Sequence, residues 1–194
     1  METSEDNHDV KALVWEAART MAIRDVPEPE AGPGEVVIDV HCAGICGSEL
    51  SGYLGHNALR VPPLIMGHEF AGTLVALGDG VAQSHPALTL GRAVTANPMT
   101  WCGDCLYCRR GLNHLCRTRK LVGAHRPGAY ARRVAVPAAV VLPLPDGLSL
   151  REAALAEPTA VALRIAAMAG DVAGETVLVL GAGPIGLLSL QTLH

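Results

Sequence analysis

The chain has 194 residues, 49% of them hydrophobic and 18% charged, with a formal net charge of −4. That is the composition of a globular protein of one domain or slightly more, and the negative balance argues against nucleic-acid or anionic-membrane partners, both of which select basic patches. Aromatic residues are only 3%, while there are 21 glycines and 13 prolines, a mix that suits many short strands joined by turns.

The first nine residues, METSEDNHD, are polar and acidic and read as a disordered tail. They lack the basic start and apolar core of a secretion signal. The longest apolar stretch, 153–169, is interrupted by Glu157, Pro158 and Arg164 and is too broken for a membrane span. A cytoplasmic location is therefore expected. In a reducing compartment the six cysteines point to metal binding or catalysis rather than disulfides.

From Val10 to about Pro145 the text is strand and turn. "VKALVW" and "TMAIRDV" are short β-like runs, and "PEPEAGPGE" is turn chemistry. "VVIDVHC" alternates, placing Val36, Ile38, Val40 and Cys42 on one face, where Cys42 behaves as a small apolar core residue. "EFAGTLVALG", "GRAVTANP" and "GAYARRVAVP" are further strand candidates, and the spacing predicts a small, partly open β-barrel. At Ser149 the pattern changes. Ser149 and Glu152 have the spacing of a capping box, and an Ala-rich helical stretch follows, with Pro158 starting or kinking a second helix to about Ala169. "ETVLVL" after Gly174 is a continuous apolar run of the kind found in buried parallel sheets.

Cys102, Cys105, Cys108 and Cys116 sit inside "CGDCLYCRRGLNHLC", spaced C-x2-C-x2-C-x7-C. Four closely spaced thiolates on a tight loop complete a tetrahedral zinc shell, and a closed shell folds the loop without doing chemistry. Gly103 and Gly111 let the backbone wrap the ion, and Arg109, Arg110, Arg117 and Arg119 can offset the thiolate charge. The other readings of the spacing are an iron–sulfur cluster, a redox pair, or His114 in place of one sulfur.

A second constellation is more dispersed. Cys46 lies in "GICGSEL", His68 and Glu69 are adjacent in "GHEFAG", and Glu157 precedes Pro158 in "AEPTAV". One thiolate, one imidazole and one or two carboxylates make an open metal site with a position left for water or substrate. Taken singly, a histidine before a strand is more often an ordinary hydrogen-bonded residue, and a glutamate on a helix is more often solvated.

In "VLVLGAGPIGLL" the residues Gly181, Gly183 and Gly186, with Pro184 and Ile185 between them, form G-x-G-x-x-G behind a strand-like run. Gly181 makes the tight turn, Gly183 lets a pyrophosphate approach the backbone, and Gly186 lets the following helix pack on the strand.

These motifs, in this order, resemble the zinc-dependent medium-chain alcohol dehydrogenases from Lys11 to the end of the chain. Glu157 places the resemblance nearer the polyol, sorbitol and threonine dehydrogenase branch. The resemblance implies a mostly β, GroES-like barrel over 10–155, followed at 156–194 by a linker helix and the first strand and helix of a Rossmann α/β domain. It implies two zinc ions per chain: a structural one on the four cysteines, and a catalytic one held by Cys46 and His68 with the carboxylates of Glu69 and Glu157. Ser48 matches the hydroxyl that hydrogen-bonds the substrate oxygen. The implied chemistry is hydride transfer from a metal-polarised alcohol or polyol to NAD or NADP, reversible toward a ketone or aldehyde. Many relatives carry histidine at the position of Ser51 as a proton relay. His56 or water is the candidate substitute, and Tyr53 is expected in the pocket wall.

The residue that separates NAD from NADP belongs about twenty positions past the glycine motif, beyond His194. A strand–helix–strand unit needs roughly thirty residues, so a truncated or partial form of such an enzyme is expected. The resemblance allows a homo-oligomer. The competing readings are a non-catalytic zinc-binding GroES-like module and a zinc-ribbon nucleic-acid binder, the latter disfavoured by charge and by the second metal constellation.

Overall fold

The computed structural model describes residues 9–193. The expected tail lies outside them except for Asp9, which already opens the first strand. Strands β1 (Asp9–Ala17) and β2 (Thr20–Pro27) form a hairpin whose tight turn holds Arg19 at φ 62°. β3 (Glu35–Ala43) is followed by a short helix α1 (Gly47–Tyr53), then by β4 (Leu64–Ile65) and β5 (Phe70–Leu77). A one-turn helix α2 (Val81–Ser84) leads to β6 (Ala93–Ala96) and β7 (Met99–Thr100). After the cysteine loop come β8 (Lys120–Leu121), β9 (Arg133–Pro137) and β10 (Val141–Pro143). Three helices end the chain: α3 (Leu150–Ala153), α4 (Ala156–Ala169) and α5 (Pro184–Leu193).

The strands form three antiparallel sheets, ordered β2-β1-β4, β10-β6-β5-β3-β9 and β7-β8. The stretch before β9 stitches the first to the second. Leu13 N donates to Tyr130 O at 2.7 Å, Arg132 N to Lys11 O at 2.9 Å, and Val40 N to Arg132 O at 2.8 Å. That is the expected partly open barrel, closed by single bonds rather than by a full ladder. Its core is built from inward-facing residues of β3, β5, β6 and β9, among them Val36, Ile38, Phe70, Leu74, Val94 and Val136.

The predicted alternation along β3 holds for Val36 and Ile38 but is interrupted by a bulge between Val40 and Cys42. Each bulge inserts an unpaired residue and re-aims the side chains beyond it. Cys42 therefore leaves the main core and packs, half-buried, against a smaller cluster of Ala71, Leu144, Ala153 and Ala154 beneath α3. It still behaves as a small apolar residue.

The capping box at Ser149 forms as expected. Ser149 Oγ accepts from Glu152 N at 3.2 Å, and Ser149 N donates to Glu152 Oε2 at 3.1 Å. The strand expected at "ETVLVL" does not form a ladder among the described residues: 175–180 is extended chain with no strand partner, and Leu178 and Leu180 are 80% and 87% exposed. A parallel strand takes its hydrogen bonds from neighbouring strands, and no strand among the described residues pairs with this segment. The helix that the glycine turn should start is present as α5, with Pro184 at its first position, where proline's missing N–H costs nothing. No helix among the described residues is long and apolar enough to cross a membrane.

Removing the α3 cap should be measurable without touching any candidate site. Ser149→Ala is expected to lower stability by about 1 kcal/mol in urea unfolding, with an unchanged m-value; an unchanged midpoint would show that the cap carries no stability.

Candidate active site

The end of β3 and the start of β5 lie side by side, and that pairing builds the site. Gly44 N donates to Glu69 O at 2.7 Å, which sets the loop carrying Cys46 against the segment carrying His68 and Glu69. Gly44 leaves room for the Glu69 carboxylate, which a Cβ there would displace. Gly67 turns the chain at φ 98° with the Tyr130 ring packed on it, a conformation and a clearance that only glycine meets. Cys46 then caps α1 from its N-terminus. As a result the ligand atom of Cys46 and those of the adjacent His68 and Glu69, more than twenty positions further along the chain, lie within 4.8 Å of one another.

Sequence reading missed the residue that organises this cluster. Glu49 is 2% exposed and accepts four hydrogen bonds: from Cys46 N at 2.8 Å, Gly67 N at 2.9 Å, His68 Nδ1 at 2.8 Å and the Tyr130 hydroxyl at 2.7 Å. The signal was present, since Cys46 and Glu49 have the Ncap–N3 spacing of a capping box, with cysteine in the serine position. Because His68 Nδ1 donates to Glu49, Nε2 is the nitrogen whose lone pair would serve a metal once the ring is neutral.

Burial alone would push the His68 imidazole down, but the hydrogen bond and charge of Glu49 outweigh it and hold His68 above its ordinary value. Burial would likewise raise Glu49, yet His68 and Tyr130 hold it below the ordinary carboxylate range. Glu69 and Glu157 are both raised, first by burial and then by neighbouring carboxylates, while the His68 charge opposes the rise. Two carboxyl groups that resist ionisation beside an imidazole mark a place where a cation would be stabilised.

Glu157, on the first turn of α4, interacts electrostatically with His68 and Glu69 but is not part of the 4.8 Å cluster. Ser48, on the first turn of α1, is held by a residue the sequence reading passed over. Arg60 Nη1 donates to Ser48 O and Nη2 to Ser48 Oγ, each at 3.2 Å. His56 is exposed, in the turn after α1. Tyr53 does not line the cleft as expected. Its hydroxyl donates to Arg19 O at 3.0 Å and braces the β1–β2 turn, because the helix places it on the face toward that hairpin.

The four cysteines gather as predicted. Sγ atoms of Cys105 and Cys108 lie 3.5 Å apart, Cys116 and Cys102 3.6 Å, and Cys102 and Cys108 3.9 Å. A tetrahedral zinc–thiolate shell with bonds of about 2.3 Å has sulfur–sulfur edges of about 3.8 Å, so the spacing fits zinc and far exceeds a disulfide. Gly103 and Gly111 both take positive φ in this loop. Backbone amide and Thr118 hydrogen bonds draw the Cys116 thiol down, whereas burial and the neighbouring thiols push Cys108 up. Four thiolates this close need a cation to ionise together.

A cleft of about 750 Å³ joins the metal cluster to the glycine turn. Cys46 and Glu69 line one side, and Gly181, Gly183, Pro184, Ile185 and Gly186 the other. Gly181 turns at φ 108°, and a Cβ on Gly186 would strike Gly181 O, so the turn has the tightness expected of it.

Residues 32–146 match the model of the alcohol dehydrogenase GroES-like domain. This chain belongs to that family. It is 36% identical over 186 residues to the starvation-sensing protein RspB of Escherichia coli, covering 95% of this chain and 53% of that protein. It is 38% identical over 183 residues to the L-threonine 3-dehydrogenase of Rhizobium etli, covering 92% and 52%. An Escherichia coli alcohol dehydrogenase (rspB) crystallised with NADH superposes with a TM-score of 0.86 at 34% identity, covering 95% of this chain and 53% of that one. The chain spans about half the length of the curated relatives it matches.

Two measurements follow from the geometry. Metal analysis should find two zinc per chain, falling to one in Cys46→Ala; one in the unmodified protein would remove the open site. The second concerns pH. A histidine held above its ordinary value contributes stability that is complete below about pH 6.5 and is lost as pH rises through the raised value. Metal-free protein should therefore lose stability on going from mildly acid to alkaline pH, and Glu49→Gln should flatten that dependence. Zinc competes with the same proton, so affinity at Cys46–His68 should weaken as pH falls; affinity independent of pH would show that His68 is not a ligand.

Proposed function

We propose that the chain is the metal-bearing part of a zinc-dependent, nicotinamide-linked dehydrogenase of the alcohol, polyol or threonine type. The observation that carries this reading is the cleft in which an open Cys–His–carboxylate cluster faces a G-x-G-x-x-G turn. The four cysteines would hold a structural zinc. Cys46 and His68 would hold the second, with Glu69 and Glu157 as the carboxylates that ligate or exchange with water. When bound, the zinc supplies a Lewis acid for an alcohol or carbonyl oxygen and the nicotinamide supplies the hydride acceptor.

The chain's own residues do the rest. Glu49 fixes the His68 ring and tautomer through Nδ1. Ser48, two residues from Cys46 on the rigid first turn of α1, presents its hydroxyl for the substrate oxygen and for the proton that leaves it. Leu155, Ile165 and Val177 give the cleft an apolar lining against which a cofactor or substrate would pack. With Ser51 unable to relay a proton as histidine would, the exposed His56 or water carries it to solvent.

The alternative is a zinc-binding GroES-like module without turnover. It is favoured by one observation, the absence of a ladder at 175–180, which leaves the glycine turn without a sheet behind it. For that reason the 194-residue chain is expected to bind NAD(H) weakly.

The deciding experiment mixes zinc-loaded protein with NAD⁺ or NADP⁺ and a panel of short alcohols, polyols and threonine, following nicotinamide absorbance. Turnover that vanishes in Cys46→Ala and falls about a hundredfold or more in Ser48→Ala, the loss typical of a proton-transfer partner, supports the dehydrogenase. Zinc at full occupancy with no turnover on any substrate supports the module. Loss of turnover in His56→Ala with an altered pH profile would assign the relay; an unchanged profile removes it.

A further inference from the structure

Arg60 is 4% exposed and carries a guanidinium charge. Buried arginines are normally paired with a carboxylate, because desolvating an unpaired ion is costly. No carboxylate of the described residues is paired with Arg60. Its guanidinium is held by oxygens alone: Nε donates to Gly123 O at 3.2 Å, Nη1 to Ser48 O and Nη2 to Ser48 Oγ. The chain spends two further features on this placement. Asn57 turns the backbone after α1, its Oδ1 accepting from Leu59 N at 3.0 Å and its carbonyl from Arg60 N at 3.2 Å, which brings Arg60 back over the helix it has just left. Within that helix, buried Gly52 makes room: a Cβ there would lie 2.9 Å from Arg60 Cδ. Glycine is a poor helix former, so a buried one in a seven-residue helix needs a packing reason, and the arginine stem is that reason.

The contact with Ser48 decides a direction. A serine hydroxyl has one hydrogen to give and two lone pairs to receive with. With Arg60 donating to Oγ, the hydroxyl hydrogen is left free to donate elsewhere, and the open cluster begins two residues away at Cys46. We propose that Arg60 is a positioning residue for Ser48, orienting its hydroxyl as a donor toward an anionic or partly anionic oxygen at the Cys46–His68–Glu69 site, with Gly52 as the space that permits it. Neither Arg60 nor Ser48 is among the residues lining the cleft; Arg60 acts through Ser48, which stands on the first turn of α1 directly after the lining residues Cys46 and Gly47. The fixed cation also stabilises negative charge on an oxygen sharing that hydroxyl. The inference rests on the dehydrogenase reading for what the oxygen belongs to, but not for the Arg60–Ser48 bond itself.

Two measurements on the 194-residue chain separate those levels. In the first, nitrogen-15 spectra of the metal-free protein follow the Arg60 side-chain hydrogens. Slow solvent exchange that becomes at least severalfold faster in Ser48→Ala is the expected result. A freely rotating, rapidly exchanging guanidinium in the unmodified protein would overturn the proposal whatever the protein does.

In the second, cobalt replaces zinc, and trifluoroethanol binding is read from the cobalt absorption bands. Losing one hydrogen bond to the ligand oxygen is worth about tenfold in affinity. Arg60→Met and Ser48→Ala should each weaken binding by about that much, and the double variant should bind no worse than Ser48→Ala alone, because both changes remove one interaction. Arg60→Lys, which keeps the charge but not the fork, should recover part of the loss. An Arg60→Met protein that binds like the unmodified one while Ser48→Ala is impaired, or losses that multiply in the double variant, would overturn the proposal. If Arg60→Met does not fold, Gly52→Ala, which crowds the arginine stem, takes its place with the same expected direction. If cobalt enters but no alcohol binds to the unmodified protein, the dehydrogenase reading fails and the exchange measurement alone decides the Arg60–Ser48 contact.

Discussion

The Glu49 carboxylate is the point on which the site converges. A buried ionised carboxyl group is tolerated only if nearly all of its acceptor positions are filled. Glu49 meets that demand from four donors on three separate stretches: the Cys46 and Gly67 amides, the His68 ring and the Tyr130 hydroxyl. The loop after β3, the turn before β5 and the segment before β9 must therefore meet in one arrangement for the carboxylate to be stable. Tyr130 ties the knot further, since its hydroxyl also lies 2.9 Å from Gly44 O and its backbone bonds to Leu13 and Met66. This polar frame holds His68 and the Cys46 loop in place without an ion.

The two cysteine-bearing centres differ in how they are built and in what they can do. The four-cysteine loop is local: its ligands span Cys102 to Cys116, and its sulfurs already stand near the edges of a zinc tetrahedron. Four sulfurs close the shell and leave no position for a substrate. The second cluster is assembled across the β3–β5 pairing, mixes thiol, imidazole and carboxyl groups, and opens on a cleft. The carboxyl groups there are reluctant to ionise without a cation, and His68 holds its proton. A metal bound at the open centre would therefore displace protons.

The glycine turn shows the opposite division of labour. Its shape is local, with Gly181 at positive φ and Pro184 opening α5, and it forms without a sheet. The strand before it is not local. Its hydrogen-bonding groups and the side chains of Leu178 and Leu180 look for neighbours, and the described residues provide none. The glycine turn therefore keeps its shape without a strand ladder among the described residues, and it faces Cys46 and Glu69 across the cleft.

Sequence by itself determined whatever depends on spacing along a few residues. It specified the four-cysteine loop, the cap at Ser149, the glycine turn and most of the strands, because those rest on local backbone geometry and ligand spacing. It also offered Cys46, His68, Glu69 and Glu157 as separate candidates. Only the tertiary structure decided which of them meet, leaving Glu157 outside the tight cluster. It alone revealed Glu49, Tyr130 and Arg60, whose partners lie 18, 81 and 12 positions away in the chain. It moved Cys42 to a second core through a bulge and left 175–180 unladdered. The physical reason is common to all of these: buried polar groups and strands are stabilised by partners that folding brings from distant positions, and no window of sequence contains both halves of such a pair.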